Sequence, residues 1–271
     1  MLKNITLGQY YPGDSIIHRM DPRVKLLATL AYIVCVFLFQ GLIGWILLTA
    51  ILVILTKLSG VPFRMMVKGV RALWPLLAIT AFFNLFFTQG EDLWRLGVIH
   101  ITDAGLHQAI FYALRLIYLI MGSSLMTLTT SPNKLTDGLE KGLSWMSRIG
   151  VPVHEIALMM SIALRFIPIL GEEAEKIKKA QLARGADFDE GNVIRRALAL
   201  IPILVPLFVS AFGRAQDLSQ AMDARCYHGG EGRTKLHPLV YERRDWIGYV
   251  LIAVMIAVFI LLRIRDLPLP F

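Results

Sequence analysis

Long uncharged stretches separated by clusters of basic residues are the main pattern along this chain. The first stretch covers residues 26–56, where no Asp, Glu, Lys or Arg occurs. As a single helix it would be about 47 Å long, whereas the hydrocarbon core of a bilayer is roughly 30 Å thick. Basic residues flank the stretch on both sides, and the positive-inside rule places both clusters in the cytoplasm. The pattern therefore predicts a hairpin of two short membrane spans, with its turn near Gln40, Gly41 and Gly44.

Two further uncharged stretches predict a third and a fourth span. The third span covers residues 72–88, and the fourth covers residues 106–130 apart from one charge. The loop between them carries more acidic than basic residues, with Arg95 as its only Lys or Arg, so we expect it on the outer side. The single charge in the fourth span is Arg115. We expect its side chain to reach the outer interface or to pair inside the bundle.

A long polar section separates these spans from the last apolar stretch. Residues 132–245 are predicted to form three helices, at about 133–149, 153–184 and 192–225. The second and third helices each have an apolar half followed by a polar or charged half. The apolar halves contain about 15 residues, fewer than the roughly 20 that a span needs. The positive-inside rule also opposes a crossing, so we expect both helices to lie against the cytoplasmic face of the bundle.

The last apolar stretch, residues 246–262, predicts a C-terminal span. Arg263 and Arg265 would follow it on the outer side, which departs from the charge rule. The N-terminal residues lack the pattern of a cleaved signal peptide, so we expect none. We predict an all-α membrane protein, a bundle of about five transmembrane helices with long amphipathic cytoplasmic helices. The predicted regions are an N-terminal membrane region with about four spans at 1–131, a cytoplasmic module at 132–245 and a C-terminal span at 246–271.

Composition supports a membrane protein and gives little sign of catalysis. Hydrophobic residues make up 56% of the 271 residues and charged residues 18%, against about 25% charged in soluble domains. The net charge of +8 fits positive-inside loops better than nucleic-acid binding, for which no motif is present. The sequence has no P-loop, no G-x-S-x-G motif and no histidine pair at metal-ligand spacing. Two cysteines exclude a disulfide framework, and we expect no cofactor or metal in this chain.

Two arginine motifs close the long helices of the polar section. Residues 180–185 read Ala-Gln-Leu-Ala-Arg-Gly, and residues 221–226 read Ala-Met-Asp-Ala-Arg-Cys. Each ends a helical pattern with an arginine, a cation that the helix dipole favours at a C-terminus, followed by a small residue. Taken singly, each motif is an ordinary helix stop. As a pair in one chain beside membrane spans, the motifs indicate a functional contact.

A third motif precedes the first span and reads His18-Arg-Met-Asp21-Pro22-Arg23-Val-Lys25-Leu26. Asp21 and Pro22 predict a helix start there, as an N-cap followed by proline at the first helical position. Together with the two arginine motifs, this sequence resembles the transmembrane scaffold subunit, or T component, of energy-coupling factor (ECF) transporters, which are ATP-driven importers of vitamins and transition metals. The order of hydrophobic and polar segments also resembles that of the family along nearly the whole chain. The second arginine motif departs from the family's Ala-Arg-Gly pattern, because Cys226 stands where the first has glycine.

The resemblance implies that the two long helices are coupling helices in a non-catalytic subunit. Their tips would bind two ABC-type ATPase subunits, which hold the ATP and Mg²⁺, through Ala183, Arg184, Gly185, Ala224, Arg225 and Cys226. The motif that leads into the membrane would comprise Asp21, Pro22, Arg23 and Lys25. The apolar halves of the two long helices would contact a small substrate-binding membrane subunit, the S component, through Ile156, Met159, Met160, Ile167, Leu204 and Leu207. The chain would cross the cell membrane several times, with its N-terminus and coupling module in the cytoplasm.

Two other functions stay open from the sequence. A self-contained secondary transporter predicts substrate binding by the isolated chain and ionisable groups inside the spans, but no carboxylate falls within the predicted spans. A membrane enzyme predicts a convergent set of His, Asp and Glu residues at the cytoplasmic face, and the sequence shows none. In the resembled system the S component selects the substrate, so this chain does not name it.

Overall fold

The computed structural model describes residues 10–38, 41–89, 92–96, 99–188, 192–230 and 238–265. The helices are α1 Ile16–Arg19, α2 Pro22–Leu38, α3 Leu42–Ser59, α4 Phe63–Ala72, α5 Trp74–Phe87, α6 Asp103–Thr129, α7 Pro132–Gly142, α8 Val153–Ala183, α9 Val193–Ala199, α10 Ile201–Ala224 and α11 Arg243–Arg265. Two strands, β1 Asp92–Leu96 and β2 Ile99–Thr102, pair antiparallel between α5 and α6. The described residues form two compact units. One lies within residues 8–138 and 239–271 and is called the bundle unit; the other lies within residues 139–238 and is called the coupling unit, after the role expected from the sequence.

The centre of the bundle unit is α6, which packs against α2, α3, α4 and α5. One buried apolar cluster draws side chains from five helices, including Tyr32, Leu48, Met66, Leu125 and Phe259. Gly122 lets α2 approach α6 closely, because a Cβ at that position would lie 2.1 Å from the Tyr32 ring. Apart from the β1–β2 pair, the secondary structure of the described bundle is helical, in agreement with the predicted all-α membrane protein.

The first uncharged stretch forms two helices, as predicted. The helix α2 ends at Leu38 and α3 begins at Leu42. Ile17 and Met20, just before α2, line the same small cavity as Leu55, which lies late in α3. The start of α2 therefore lies beside the end of α3, so the two helices run in opposite directions, as in a hairpin.

The third predicted span begins with a sharp bend. The helices α4 and α5 meet at Leu73 and differ in direction by 60°. Pro75 lies in the first turn of α5, where its missing N–H is tolerated, but its ring prevents α4 from continuing through it. The helix α4 is absent from the sequence prediction. Its signal is the spacing of Phe63, Met66 and Val70, with Met66 fully buried.

Arg115 lies on α6 and is half-buried in the bundle unit. Its guanidinium carbon is 4.5 Å from the centroid of the Phe111 ring and 5.6 Å from that of Phe37. Of the two placements expected from the sequence, pairing inside the bundle therefore describes this residue, with aromatic rings as its neighbours.

The region predicted as a cytoplasmic module, residues 132–245, contains one continuous long helix and two stretches that are interrupted. The helix α8 is continuous over the predicted stretch at 153–184. The stretch predicted as one helix at 133–149 is instead α7 followed by a 3₁₀ helix, Ser144–Ile149. The stretch predicted at 192–225 breaks at Leu200 into α9 and α10, because Pro202 cannot donate the hydrogen bond that would join them.

Five helical segments of the described chain are long and apolar enough to cross a bilayer, and the bent pair α4–α5 would be a sixth. The number agrees with the predicted count of about five, and the chain is a multi-pass membrane protein. The helices that make up this number differ from the predicted spans. Length and composition alone also qualify α8 and the combined α9–α10 segment as possible spans, although the sequence analysis places them outside the membrane. The helix α2, with 17 residues, is shorter than these five. The five segments are Leu42–Ser59, Asp103–Thr129, Val153–Ala183, Ile194–Ala224 and Arg243–Ile264.

Candidate functional site: two arginine-tipped helices

The tip of α8 is a helix end stabilised by two backbone hydrogen bonds. Arg184 is the C-cap residue, and Gly185 follows it in the left-handed region with φ of 87°. The N–H of Gly185 donates to the carbonyl of Leu182 at 3.0 Å, and the N–H of Ala186 donates to that of Gln181 at 3.0 Å. This is the Schellman arrangement, in which a residue with positive φ turns the chain sharply away from the helix.

The tip of α10 has the same construction. Arg225 is the C-cap, and Cys226 occupies the position of Gly185 with φ of 55°. The N–H of Cys226 donates to the backbone carbonyl of Asp223 at 2.9 Å, and the N–H of Tyr227 donates to the backbone carbonyl of Met222 at 3.1 Å. The departure from the Ala-Arg-Gly pattern therefore leaves the backbone geometry unchanged, and both arginines stand at equivalent positions.

We expect Cys226→Gly to stabilise the second tip, because a side chain with left-handed backbone costs about 1 kcal/mol that glycine avoids. The midpoint of thermal unfolding of the purified chain should rise by about 2–4 °C, measured by differential scanning calorimetry in detergent. Cys226→Ala removes the thiol but keeps a Cβ, so it should give no such gain. An equal rise in both variants would show that the thiol, and not the backbone, is responsible.

All six predicted tip residues are exposed. Each guanidinium group lies at a helix C-terminus, where its charge is favoured by the helix dipole. The flanking Ala183, Gly185 and Ala224 are small, which allows another backbone to come close. A guanidinium group presents five donors and can bind a carboxylate through two parallel hydrogen bonds. Each tip is therefore suited to a docking contact with an acidic partner surface.

The two coupling helices pack side by side in opposite directions. Near the tip of α8, the Nε2 of Gln181 donates to the carbonyl of Pro202 at the start of α10, at 3.3 Å. At the other end, Leu158 and Arg165 of α8 line a groove together with Arg225. The two arginine tips thus lie at opposite ends of the pair, separated by about 36 Å of helix.

An ion pair joins the two helices midway. The Nη2 of Arg214 donates to Oε2 of Glu173 at 2.5 Å, and both side chains are half-buried. This hydrogen bond and a second one from Ser210 lower the pKa of the Glu173 carboxyl group. Beside it is a groove of about 480 Å³, lined by apolar side chains that include Ile162, Phe166, Leu170, Ala211, Leu218 and Met222.

Five of the six residues predicted to contact a substrate-binding subunit are exposed, and the sixth, Leu207, is half-buried. The exposed five are Ile156, Met159, Met160, Ile167 and Leu204. Further large apolar side chains on α10 are exposed by 56–69%, namely Val205, Phe208, Val209 and Phe212. An apolar surface of this extent is typical of a region that a protein or lipid partner covers.

The motif before the first span caps the start of α2, as predicted. Oδ1 of Asp21 accepts the backbone N–H of Arg23 at 2.9 Å. The Arg23 guanidinium group donates to both carboxylate oxygens of Asp21, at 3.0 and 2.7 Å. It also lies over the Tyr241 ring, 3.8 Å from the ring centroid. We call residues 21–23 with these contacts the Asp-Pro-Arg corner.

Asp245 joins this corner to α11. Its side chain is almost completely buried, with 1% exposed. Oδ2 of Asp245 accepts the backbone N–H of Glu242 at 2.8 Å, which closes the first turn of α11 as in a capping box. Oδ1 accepts the backbone N–H of Asp21 at 2.8 Å. One carboxylate therefore fixes the starts of α2 and α11 to each other.

Lys25 is also buried, although the sequence places it among the basic residues that precede the membrane. Its Nζ donates to the carbonyls of His18 and Thr129, at 3.3 and 3.0 Å, and to Oγ1 of Thr130 at 3.2 Å. Three oxygen acceptors compensate the ammonium group for the loss of water. Lys25 thus ties the start of α2 to the end of α6.

Asp245 and Tyr241, which contact the corner, are absent from the sequence prediction. The capping-box spacing from Glu242 to Asp245 is a local signal that could have located the start of α11. No local signal connects Asp245 to Asp21, which is 224 residues away. In the part of the chain that the structure describes, no group of three or more His, Cys, Asp or Glu side chains is placed to hold a metal ion.

The fold defines a multi-pass α-helical membrane protein with a separate helical unit that carries two exposed arginine tips. The chain matches the CbiQ family, described as "Cobalt transport protein", over residues 13–236. It is 50% identical over 268 residues to the "Energy-coupling factor transporter transmembrane protein EcfT" of Clostridium kluyveri, which covers 97% of this chain and 98% of that protein. It is 43% identical over 264 residues to the protein of the same name from Bacillus subtilis, covering 97% of this chain and 100% of the relative.

The chain therefore belongs to the CbiQ family of transport proteins. Its resemblance to the transmembrane component of ECF transporters is confirmed by these relatives, which match it along almost its whole length.

Proposed function

We propose that this chain is the non-catalytic scaffold of an ATP-driven importer of vitamins or other micronutrients. It would couple two ABC-type ATPase subunits to a small substrate-binding membrane subunit. The observation that carries the proposal is the pair of equivalent arginine tips at opposite ends of the antiparallel helices α8 and α10. Two exposed tips of the same construction, about 36 Å of helix apart, suit two similar partners side by side.

The packing of the coupling helices supports a mechanical role. The Arg214–Glu173 ion pair, the Gln181 hydrogen bond and the apolar contacts hold α8 and α10 together along their length. Packed helices move as rigid elements, so a displacement of either tip is passed to the other end of the pair. Closure of two ATPases on ATP would displace both tips and thereby move the apolar halves of the same helices.

The exposed apolar side chains of α8 and α10 supply the second contact. Charged residues occupy the C-terminal half of α8, whereas large apolar residues such as Met159 of α8 and Phe208 of α10 are exposed in the apolar halves of the two helices. The S component is the partner that we assign to this surface. It is a membrane protein, so its own apolar surface would bury these side chains at a gain of about 25 cal/mol per Å².

Charge distribution supports a cytoplasmic position for the tips. The connection between α8 and α10 carries Arg184, Arg195 and Arg196 together with lysines of α8, and such basic segments stay on the cytoplasmic side. ATP is available there, and the ATPase partners would bind the ATP and Mg²⁺. On this basis α8 and α10 lie outside the membrane although their length and composition would permit a crossing.

Affinity purification of the tagged chain from native membranes in mild detergent tests the proposal. We expect two ATPase polypeptides and one small membrane protein to co-purify, and ATP hydrolysis to follow the ATPases and not the isolated chain. Stable purification of the chain alone, with substrate binding by that chain, would instead identify a secondary carrier.

A further inference from the structure

The chain passes between its two units twice, and both connections are fixed to the Asp-Pro-Arg corner. The first connection leaves the bundle unit after Gly138, and a Cβ at Gly138 would lie only 2.9 Å from Cβ of Pro22. The second connection returns at residue 239, and two residues later the Tyr241 ring lies under the Arg23 guanidinium group. Pro22 and Arg23 are neighbours in the same helical turn, so one short segment holds both connections.

The corner is itself firmly attached to the bundle. The backbone N–H of Asp21 is bound by the buried Asp245. Lys25 is held by the carbonyl of His18 and by two oxygens at the end of α6. These contacts join the starts of α2 and α11 to the segment that leads into α7. A load applied to either connection therefore reaches three bundle helices through this one point.

We propose that the Asp-Pro-Arg corner is the anchor through which movement of the coupling unit is transmitted to the membrane bundle, with Arg23 and Tyr241 as positioning residues. This proposal rests on the proposed function, because it requires that ATPases move the coupling unit. Both residues belong to the bundle unit, whereas the two arginine tips and the apolar surface of α8 and α10 belong to the coupling unit.

The contact between Arg23 and Tyr241 is separable from the rest of the corner. The Tyr241 side chain is 39% exposed, so the bundle core does not depend on it. The Tyr241 ring takes no part in the cap of α2 by Asp21 or in the link to Asp245. Its other contacts are with the start of α11, against the Trp246 ring and between its hydroxyl and that of Tyr249, at 3.1 Å. Removing the ring should thus detach the second connection from Arg23, while the hydrogen bonds at the starts of α2 and α11 remain.

Hydrogen exchange in the assembled complex measures the transmission without knowledge of the substrate. Amide exchange is compared with and without ATP plus vanadate, a mixture that holds ABC-type ATPases closed. In the wild-type complex we expect a nucleotide-dependent change in α8 and α10 and also in the starts of α2 and α11. In Tyr241→Leu and Arg23→Met, the change should persist in α8 and α10 and disappear in α2 and α11.

Two matched variants complete the test. Tyr241→Phe keeps the ring over Arg23, and Arg19→Met removes a guanidinium from the exposed pair with Asp14, so both should behave as wild type. The proposal is overturned if nucleotide still changes α2 and α11 in Tyr241→Leu and Arg23→Met, or if the wild type shows no change there. It is also overturned if Tyr241→Leu prevents assembly, since the contact is then only structural. A wild-type chain that binds no ATPase would instead contradict the proposed function.

Discussion

Charge reversal at both tips, by Arg184→Glu with Arg225→Glu, is expected to abolish co-purification of the ATPase subunits while the bundle unit remains folded. Each guanidinium group is exposed at a helix end, so its replacement leaves the core of the chain intact. A central arginine of an interface contributes at least about 2 kcal/mol, so each ATPase should bind about thirtyfold more weakly, and joint binding of both should fall by about a thousandfold. Quantitative pull-down from detergent-solubilised membranes measures this loss. Either single variant should lose one ATPase more readily than the other.

The matched control reverses two other exposed arginines of the coupling unit, by Arg148→Glu with Arg195→Glu. The change in net charge is the same, and neither residue is at the tip of α8 or α10, so ATPase binding should stay near the wild-type level. Equal loss in both double variants would mean that the overall charge of the unit, and not the tips, holds the partners. Normal yield of ATPases with the tip variant would refute the docking role.

Asp245→Ala is expected to destabilise the bundle unit more than any change at the tips. The buried carboxylate accepts two backbone N–H groups, from Asp21 and Glu242, and hydrogen bonds to a charged group contribute about 1.5–3 kcal/mol each. Alanine leaves both donors without their acceptor, the N–H of Asp21 in a buried position and that of Glu242 in a half-buried one. A loss of at least about 3 kcal/mol should lower the midpoint of thermal unfolding by about 10 °C. Thermal unfolding of the purified chain in detergent measures the effect.

Glu242→Ala is the control for this prediction, because Glu242 is exposed and its backbone N–H remains available to Asp245. Its side chain forms a surface ion pair with Arg244, and such pairs contribute about 0–1 kcal/mol. The unfolding midpoint should therefore move by about 3 °C or less. An effect as large as that of Asp245→Ala would show that the surface pair, and not the buried carboxylate, secures the start of α11.

Features encoded by neighbouring residues could be predicted from the sequence. The tips at Arg184 and Arg225 follow from helix-stop signals within six residues, and the structure places both at the C-cap. The start of α2 at Asp21 and Pro22 is equally local. The division of the first uncharged stretch into α2 and α3 follows from its length and from the charge on either side of it; Gln40, one of the residues of the predicted turn, lies outside the described residues.

Features that depend on distant residues could not be predicted in the same way. The bond between Asp21 and Asp245 joins positions 224 residues apart, and no spacing rule relates them. The burial of Lys25 depends on carbonyls at the end of α6. The antiparallel pairing of α8 and α10 depends on contacts such as Arg214 with Glu173, which two separate helix patterns do not specify. This pairing is what sets the tips at opposite ends.

Alkylation of Cys226 in the assembled complex tests the docking of the tips most directly. Cys226 is exposed at the second tip, whereas Cys35, buried in the bundle core, serves as an internal control. A cysteine introduced by Ala183→Cys reports on the first tip. If both tips dock, maleimide labelling at each tip should be about tenfold slower or more in the complex with ATPases than in the isolated chain, since reactivity follows exposure. Unchanged labelling at both tips in a complex that contains both ATPases would contradict the account.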